Sequence, residues 1–264
     1  MKTVVITGST KGIGFGLAQA FLERGCRVVV NGRGEANTQQ AAAKLSAAFP
    51  AERIFARAGD MANFPEVQAL WDAAVERFGG VDIWVNNAGI AHAITDFWDM
   101  DAAQMRGILE TNLLGLMYGT QVAIRGMQAQ GGGAIYNMEG AGSTGRMHPG
   151  LTTYAATKRG VNYLNLGVIG ELEGSAVILG ILRPGMVITD LLTAQRDHGG
   201  PDWERTKRVF SIIGDKVETV TPWLADKMLA NQKHGAVISF TSNAKIMLRF
   251  LMAPFNKRDL FDGE

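Results

Sequence analysis

The sequence has a single cysteine, Cys26, so no internal disulfide can form and no zinc site can be built on thiolates. Histidine is scarce as well. His92, His148, His198 and His234 are scattered, with no H-x-x-x-H or H-E-x-x-H spacing, and no metal site is expected. Neither sign of charge is in excess. Lys plus Arg number 26 and Asp plus Glu 25, a formal +1 that argues against nucleic acid as a partner. No apolar run approaches the ~18 residues that cross a bilayer, so no membrane span is expected. Met1 to Thr7 runs straight into an apolar strand pattern, without the cationic start and long apolar stretch of a signal peptide. A cytoplasmic protein is the expectation.

Glycine is what abounds: 33 of 264 residues, against 7 prolines. Apolar residues make up 47% and charged residues 19%, which suits one sizeable core rather than a disordered chain. Short β-branched runs alternate with longer amphipathic ones. Strands are expected at 3–7, 27–31, 53–58, 81–86, 134–138, 176–182 and 236–240. Helices are expected at 13–24, 36–49, 64–78, about 101–128 and 154–172. Strands apolar throughout, separated by helices, indicate a parallel sheet covered on both faces. Right-handed crossovers then give an α/β, Rossmann-like, doubly wound sheet. One dinucleotide-binding catalytic domain over 1–264 is expected. A polar stretch at about 190–220, with Trp203 and Phe210, reads as a lid-like insertion. The stretch 244–264 reads as an apolar tail. It could pack on the core or a subunit interface, or it could form a pocket wall or a peripheral membrane contact.

After the first strand comes Thr7-Gly8-Ser9-Thr10-Lys11-Gly12-Ile13-Gly14. Glycines between a strand and a helix let backbone approach a pyrophosphate, and the helix start supplies N–H donors. After the second strand, Asn31-Gly32-Arg33 has a cation and no acid, which suits the 2′-phosphate of NADP; NAD(H) stays possible. Asp60, followed by Met61, is placed to meet an adenine edge or to cap the next helix. Tyr154 and Lys158 stand at i and i+4, one face of a helix, where an ammonium would favour the phenolate.

With these motifs the sequence resembles the short-chain dehydrogenase/reductase family over nearly its whole length. The resemblance rests on the glycine turn, Asn86-Asn87-Ala88-Gly89, Asn112, Tyr154 with Lys158, and Pro184-Gly185. It implies seven parallel strands, a homodimer or homotetramer, and a nicotinamide cofactor. It implies that Asn87, with Ala88 and Gly89, lies against the cofactor, and that Pro184, Gly185, Val187 and Thr189 meet the nicotinamide end. Tyr154 would be the general acid, Lys158 would bind the ribose and tune Tyr154, and Asn112 would hold a relay water.

The family's usual serine, thirteen residues before the tyrosine, is replaced by Ala141. Three readings stay open. Ser143 could reach the site through a rearranged loop. Backbone N–H groups of 140–143, or Thr144, could polarise a carbonyl. Or the protein could be an NADP(H)-binding regulatory module with weak or no catalysis. The segment Asn137-Met138-Glu139-Gly140-Ala141-Gly142-Ser143 is similar to that of chlorophyll b reductases, as are 184–192 and the tail at 258–262. That branch implies reduction of a carbonyl on a bulky apolar small molecule.

Overall fold

The computed structural model describes residues 1–189, 202–253, 258 and 260, with backbone alone at 202–206 and 243. Seven strands form one parallel sheet: β1 Thr3–Ile6, β2 Arg27–Gly32, β3 Ile54–Ala58, β4 Ile83–Asn86, β5 Gly133–Met138, β6 Val177–Arg183 and, at the edge, β9 Val237–Ser239. Their order is β3-β2-β1-β4-β5-β6-β9. The helices between them are α1 Gly12–Glu23, α2 Glu35–Ser46, α3 Phe64–Phe78, α4 Ala102–Leu109, α5 Gly115–Gln130, α6 Thr152–Glu171, α7 Asp202–Ile213, α8 Val217–Ala230 and α9 Asn243–Met252.

The two-residue period of a strand divides the core. Val4, Ile6, Val28 and Val30 point to one face, where they join Leu17, Phe21 and Leu224. Val5 and Val29 point to the other and pack with Trp71, Trp84, Val122 and Ile135. Each large side chain fully buried in this way contributes about 1.5–3 kcal/mol. The apolar strand pattern is therefore a consequence of two covered faces.

One expected element is divided. The helix read at about 101–128 starts at α4, where the Asp101 carboxylate accepts a hydrogen bond from the Gln104 N–H at 2.9 Å. It then loosens into one π turn over Glu110–Leu114 before α5 resumes. Apolar periodicity cannot register that one extra residue per turn. A two-stranded ribbon, β7 Val187–Ile188 with β8 Asp215–Lys216, was absent from the sequence pattern because each strand is so short.

Within the insertion expected at 190–220, positions 190–201 and the side chain of Trp203 lie outside the described residues, and 202–213 is α7. In the tail, α9 turns a cation inward. Arg249 makes two hydrogen bonds, at 2.9 and 2.7 Å, to the buried Asp215 carboxylate, while Met247, Leu248 and Leu251 stay exposed.

A line of polar side chains crosses the apolar core. The Trp84 indole donates to Asn86 Oδ1 at 2.7 Å. Asn86 Nδ2 donates to Asn137 Oδ1, and Asn137 Nδ2 to Asn165 Oδ1, each at 2.8 Å. This line joins β4 and β5 to α6. Asn137→Ala would leave the Asn86 and Asn165 amides without these partners, and urea unfolding should report a loss of about 2–4 kcal/mol. A loss below about 1 kcal/mol would mean the line is not a structural element.

Candidate active site

A cavity of about 390 Å³ opens at the carboxyl ends of the strands, around the β1–β4 boundary where the sheet switches its direction of winding. Its floor is the glycine turn. Gly8 and Gly12 have φ of +61° and +56°, a region that glycine enters without strain. A Cβ on Gly14 would lie 2.4 Å from the Gly8 carbonyl oxygen and 2.6 Å from Asn87 Nδ2. Asn87 braces the turn, donating to the Thr7 and Gly8 carbonyls at 2.9 and 3.0 Å. Thr10, Lys11, Gly12 and Ile13 line the cavity beside Gly8 and Gly14. Ser9 does not. It is buried, and its hydroxyl donates to the Ile6 carbonyl at 2.7 Å, so it shapes the turn from behind.

The first turn of α1 has no acidic residue, and Lys11 at its N-cap makes no side-chain cap. A helix start of this kind, opening on a glycine floor, fits a pyrophosphate. At one end of the cavity stand Arg33, Asp60 and Met61. Asn31, buried at the end of β2, accepts from the Gly8 N–H and donates to the Gly59 carbonyl, so it builds the wall there. Asp60 is not the cap of α3, which is Asn63; its carboxylate accepts from the Ala62 N–H at 3.0 Å. Ala88, Gly89, Pro184, Gly185, Val187 and Thr189 line the other end.

Tyr154 and Lys158 face that end from α6. Lys158 is buried, and its ammonium donates to the Met138 carbonyl at 3.3 Å. Its nitrogen lies 5.7 Å from the centre of the Tyr154 ring. Burial pulls Lys158 down to about 8, with the charge of Glu139 opposing that shift. Burial pushes Tyr154 up to about 12. The sequence expectation of a phenol lowered by its lysine is therefore corrected: burial raises it, and Tyr154 keeps its proton near neutrality.

Besides Ser9, two expected residues stand back from the cavity. Asn112, in the π turn, is fully buried; its amide bonds both the N–H and the carbonyl of Ile90 at 2.8 Å and reaches the Thr157 hydroxyl at 3.5 Å. Ile90 and Thr111 line the cavity in its place. Ser143 is buried outside the lining, and its carbonyl accepts from Arg159 at 3.0 Å. Gly140 and Ala141 form the wall instead, and a Cβ on Gly140 would sit 2.7 Å from the Tyr154 hydroxyl. Met147 and His148 are not in the lining, while Leu151 is. Glu139, which with Gly140 stands where the family commonly shows two serines, is buried at the cavity edge.

The short chain dehydrogenase family model matches residues 2–199. The chain is 35% identical over 232 residues to chlorophyll(ide) b reductase NOL, chloroplastic, of Oryza sativa subsp. japonica, covering 86% of this chain and 66% of that protein. It is 33% identical over 285 residues to the probable chlorophyll(ide) b reductase NYC1, chloroplastic, of the same plant, covering 100% of this chain and 54% of that protein. The chain thus spans about two thirds of the first relative's length and about half of the second's. The crystal structure of 3-ketoacyl-(acyl-carrier-protein) reductase from Brucella melitensis complexed with NADH superposes with a TM-score of 0.80 at 26% identity, over 92% of this chain and 98% of that one. These relatives correct one expectation. Both plant reductases are named chloroplastic, so the cytoplasmic reading drawn from the absence of a leader pattern does not stand.

The floor of the cavity can be tested alone. Gly14→Ala should weaken binding of a nicotinamide dinucleotide at least about tenfold in calorimetry, because its Cβ must displace the Gly8 carbonyl. Gly167→Ala, whose Cβ meets nothing within 4 Å, should leave binding unchanged. Equal affinities for the two variants would contradict the role of the turn.

Proposed function

The chain belongs to the short-chain dehydrogenase/reductase family, in the chlorophyll(ide) b reductase-like branch, and on that premise we propose that it is an NADPH-dependent reductase of an aldehyde or ketone on a bulky apolar substrate. The formyl group of chlorophyll b or chlorophyllide b is the first candidate. One observation carries the reading: Tyr154 and, one helical turn on, the buried Lys158 line a cavity floored by the glycine turn.

When bound, NADPH would supply the hydride to the carbonyl carbon. The Tyr154 hydroxyl gives its proton to the carbonyl oxygen as the C=O electron pair moves there. Lys158 holds positive charge beside the phenolate left behind and would bind the ribose. Gly140 and Ala141 offer backbone where other members offer a hydroxyl, and Asn112 holds the Ile90 segment of the wall. Arg33, exposed and lining the cavity, would meet the 2′-phosphate. Residues 1–264 act as one catalytic domain. Exposed Met117, Tyr163 and Leu166 on α5 and α6 support a homodimer or homotetramer. Met247, Leu248 and Leu251 on α9 support a peripheral contact with a lipid surface.

The test is NADPH oxidation with chlorophyllide b beside simple aldehydes and ketones. Tyr154→Phe should lower kcat by about 10²–10⁴ and leave NADPH affinity within about threefold. Turnover of the native protein should be level below pH ~8 and fall above it, because Lys158, held down to about 8, then loses its proton. Undiminished turnover in Tyr154→Phe, or a rate that rises through pH 8–9, would contradict the assignment. Separately, Arg33→Ala should weaken NADPH about tenfold and leave NADH nearly unchanged. An equal loss for both cofactors would remove Arg33 from phosphate recognition.

A further inference from the structure

One residue before the glycine that faces Tyr154 stands a carboxylate whose side chain has 0% exposure, Glu139. A buried charge persists only when its lone pairs are matched by donors. Three donors converge on it. Arg183 Nε on β6 donates at 2.7 Å, and Asn162 Nδ2 and Asn165 Nδ2 on α6 donate at 2.8 and 3.4 Å. Asn165 also accepts from Asn137, so Glu139 terminates the buried line that begins at Trp84.

The same residue is fixed along the chain. Its N–H donates to the Leu182 carbonyl at 2.9 Å. The preceding carbonyl, that of Met138, receives the Lys158 ammonium. The following residue, Gly140, leaves no room for a side chain beneath the Tyr154 hydroxyl. Glu139 is thus bonded on both sides of the peptide units that meet the two proton-handling groups.

We propose that Glu139 is a positioning residue for the Tyr154–Lys158 pair: its anchored carboxylate fixes the end of β5, so that the Met138 carbonyl holds Lys158 and the Gly140 backbone faces Tyr154, and its charge lies behind the Lys158 ammonium. This rests on the reading of Tyr154 and Lys158 as the proton-donor pair. The charged and titratable groups around Lys158 are Glu139 just after β5, Arg183 on β6, and Tyr154 and Arg159 on α6. Arg159 is turned to the Ser143 carbonyl and Asn162 Oδ1, both at 3.0 Å. Arg183 is one-third exposed and shares its charge with water, whereas the Glu139 carboxylate does not. The negative charge of Glu139 therefore raises Lys158 against its burial.

Glu139→Gln keeps the length and the acceptor oxygen and removes the charge. The ¹³Cε resonance of Lys158, assigned with Lys158→Met, reports the ammonium directly in protein without substrate. Its midpoint should fall by about half a pH unit or more in Glu139→Gln and stay near the native value in Glu139→Asp, which keeps the charge. The upper limb of the kcat profile should move down with it, with the KM for NADPH within about threefold. A folded Glu139→Gln protein with the native Lys158 midpoint overturns the proposal. Should that variant fail to fold, Asn162→Ala decides: it removes one anchor of the Glu139 carboxylate and no charge, so the Lys158 midpoint should move away from the native value, and an unmoved midpoint in the folded variant overturns the proposal. If no carbonyl is turned over, the proposed function fails, and the Lys158 titration still judges this inference by itself.

Discussion

The line of buried hydrogen bonds from the Trp84 indole through Asn86 and Asn137 to Asn165 and Glu139 is the constraint on which the chemical end of the cavity depends. A parallel sheet covered on both faces offers its side chains no water. Polar groups placed there must satisfy one another or cost stability. Here they do so by running across β4 and β5 to α6, the three elements that carry Asn87, Gly140 and Tyr154 to one place. The arrangement fixes α6 relative to the strand ends, and with it the distance from Lys158 to the Met138 carbonyl.

Electrostatics at that end follow from the same burial. Tyr154 and Lys158 are both driven toward their neutral forms, the phenol up and the ammonium down. A phenol that retains its proton near neutrality is suited to give one away, which is the direction a reduction needs. A lysine poised near 8 is still mostly charged at neutral pH and stabilises the anion that a proton transfer leaves. At the opposite end, the unacidic start of α1 and Arg33 favour phosphate oxygens.

Much of this was legible in the residues. The strands could be read because a doubly covered sheet demands continuous Val and Ile runs. The glycine turn could be read because Gly8 and Gly14 have no space for a Cβ. Tyr154 and Lys158 could be read because a helix brings i and i+4 together. What escaped depends on long-range packing. The π turn at Asn112 inserts one residue into an otherwise regular apolar pattern. Ser143 is near Tyr154 in sequence, yet the Gly140–Ala141 backbone occupies the wall. The raised phenol depends on how deeply α6 is buried, which no local spacing encodes. Glu139 looked like an exchange for a serine, and its meaning lies in donors from Arg183, Asn162 and Asn165, 44, 23 and 26 residues away.

The central claim is that a hydride passes from a reduced nicotinamide to a substrate carbonyl at this cavity. The most direct measurement is isotopic. The purified protein is mixed with chlorophyllide b and NADPH carrying deuterium at the transferable C4 position, and the alcohol is analysed by mass spectrometry. The account predicts one deuterium on the former carbonyl carbon of the product, together with loss of the label from the cofactor. An alcohol formed without deuterium at that carbon, from either C4-labelled epimer, would contradict it.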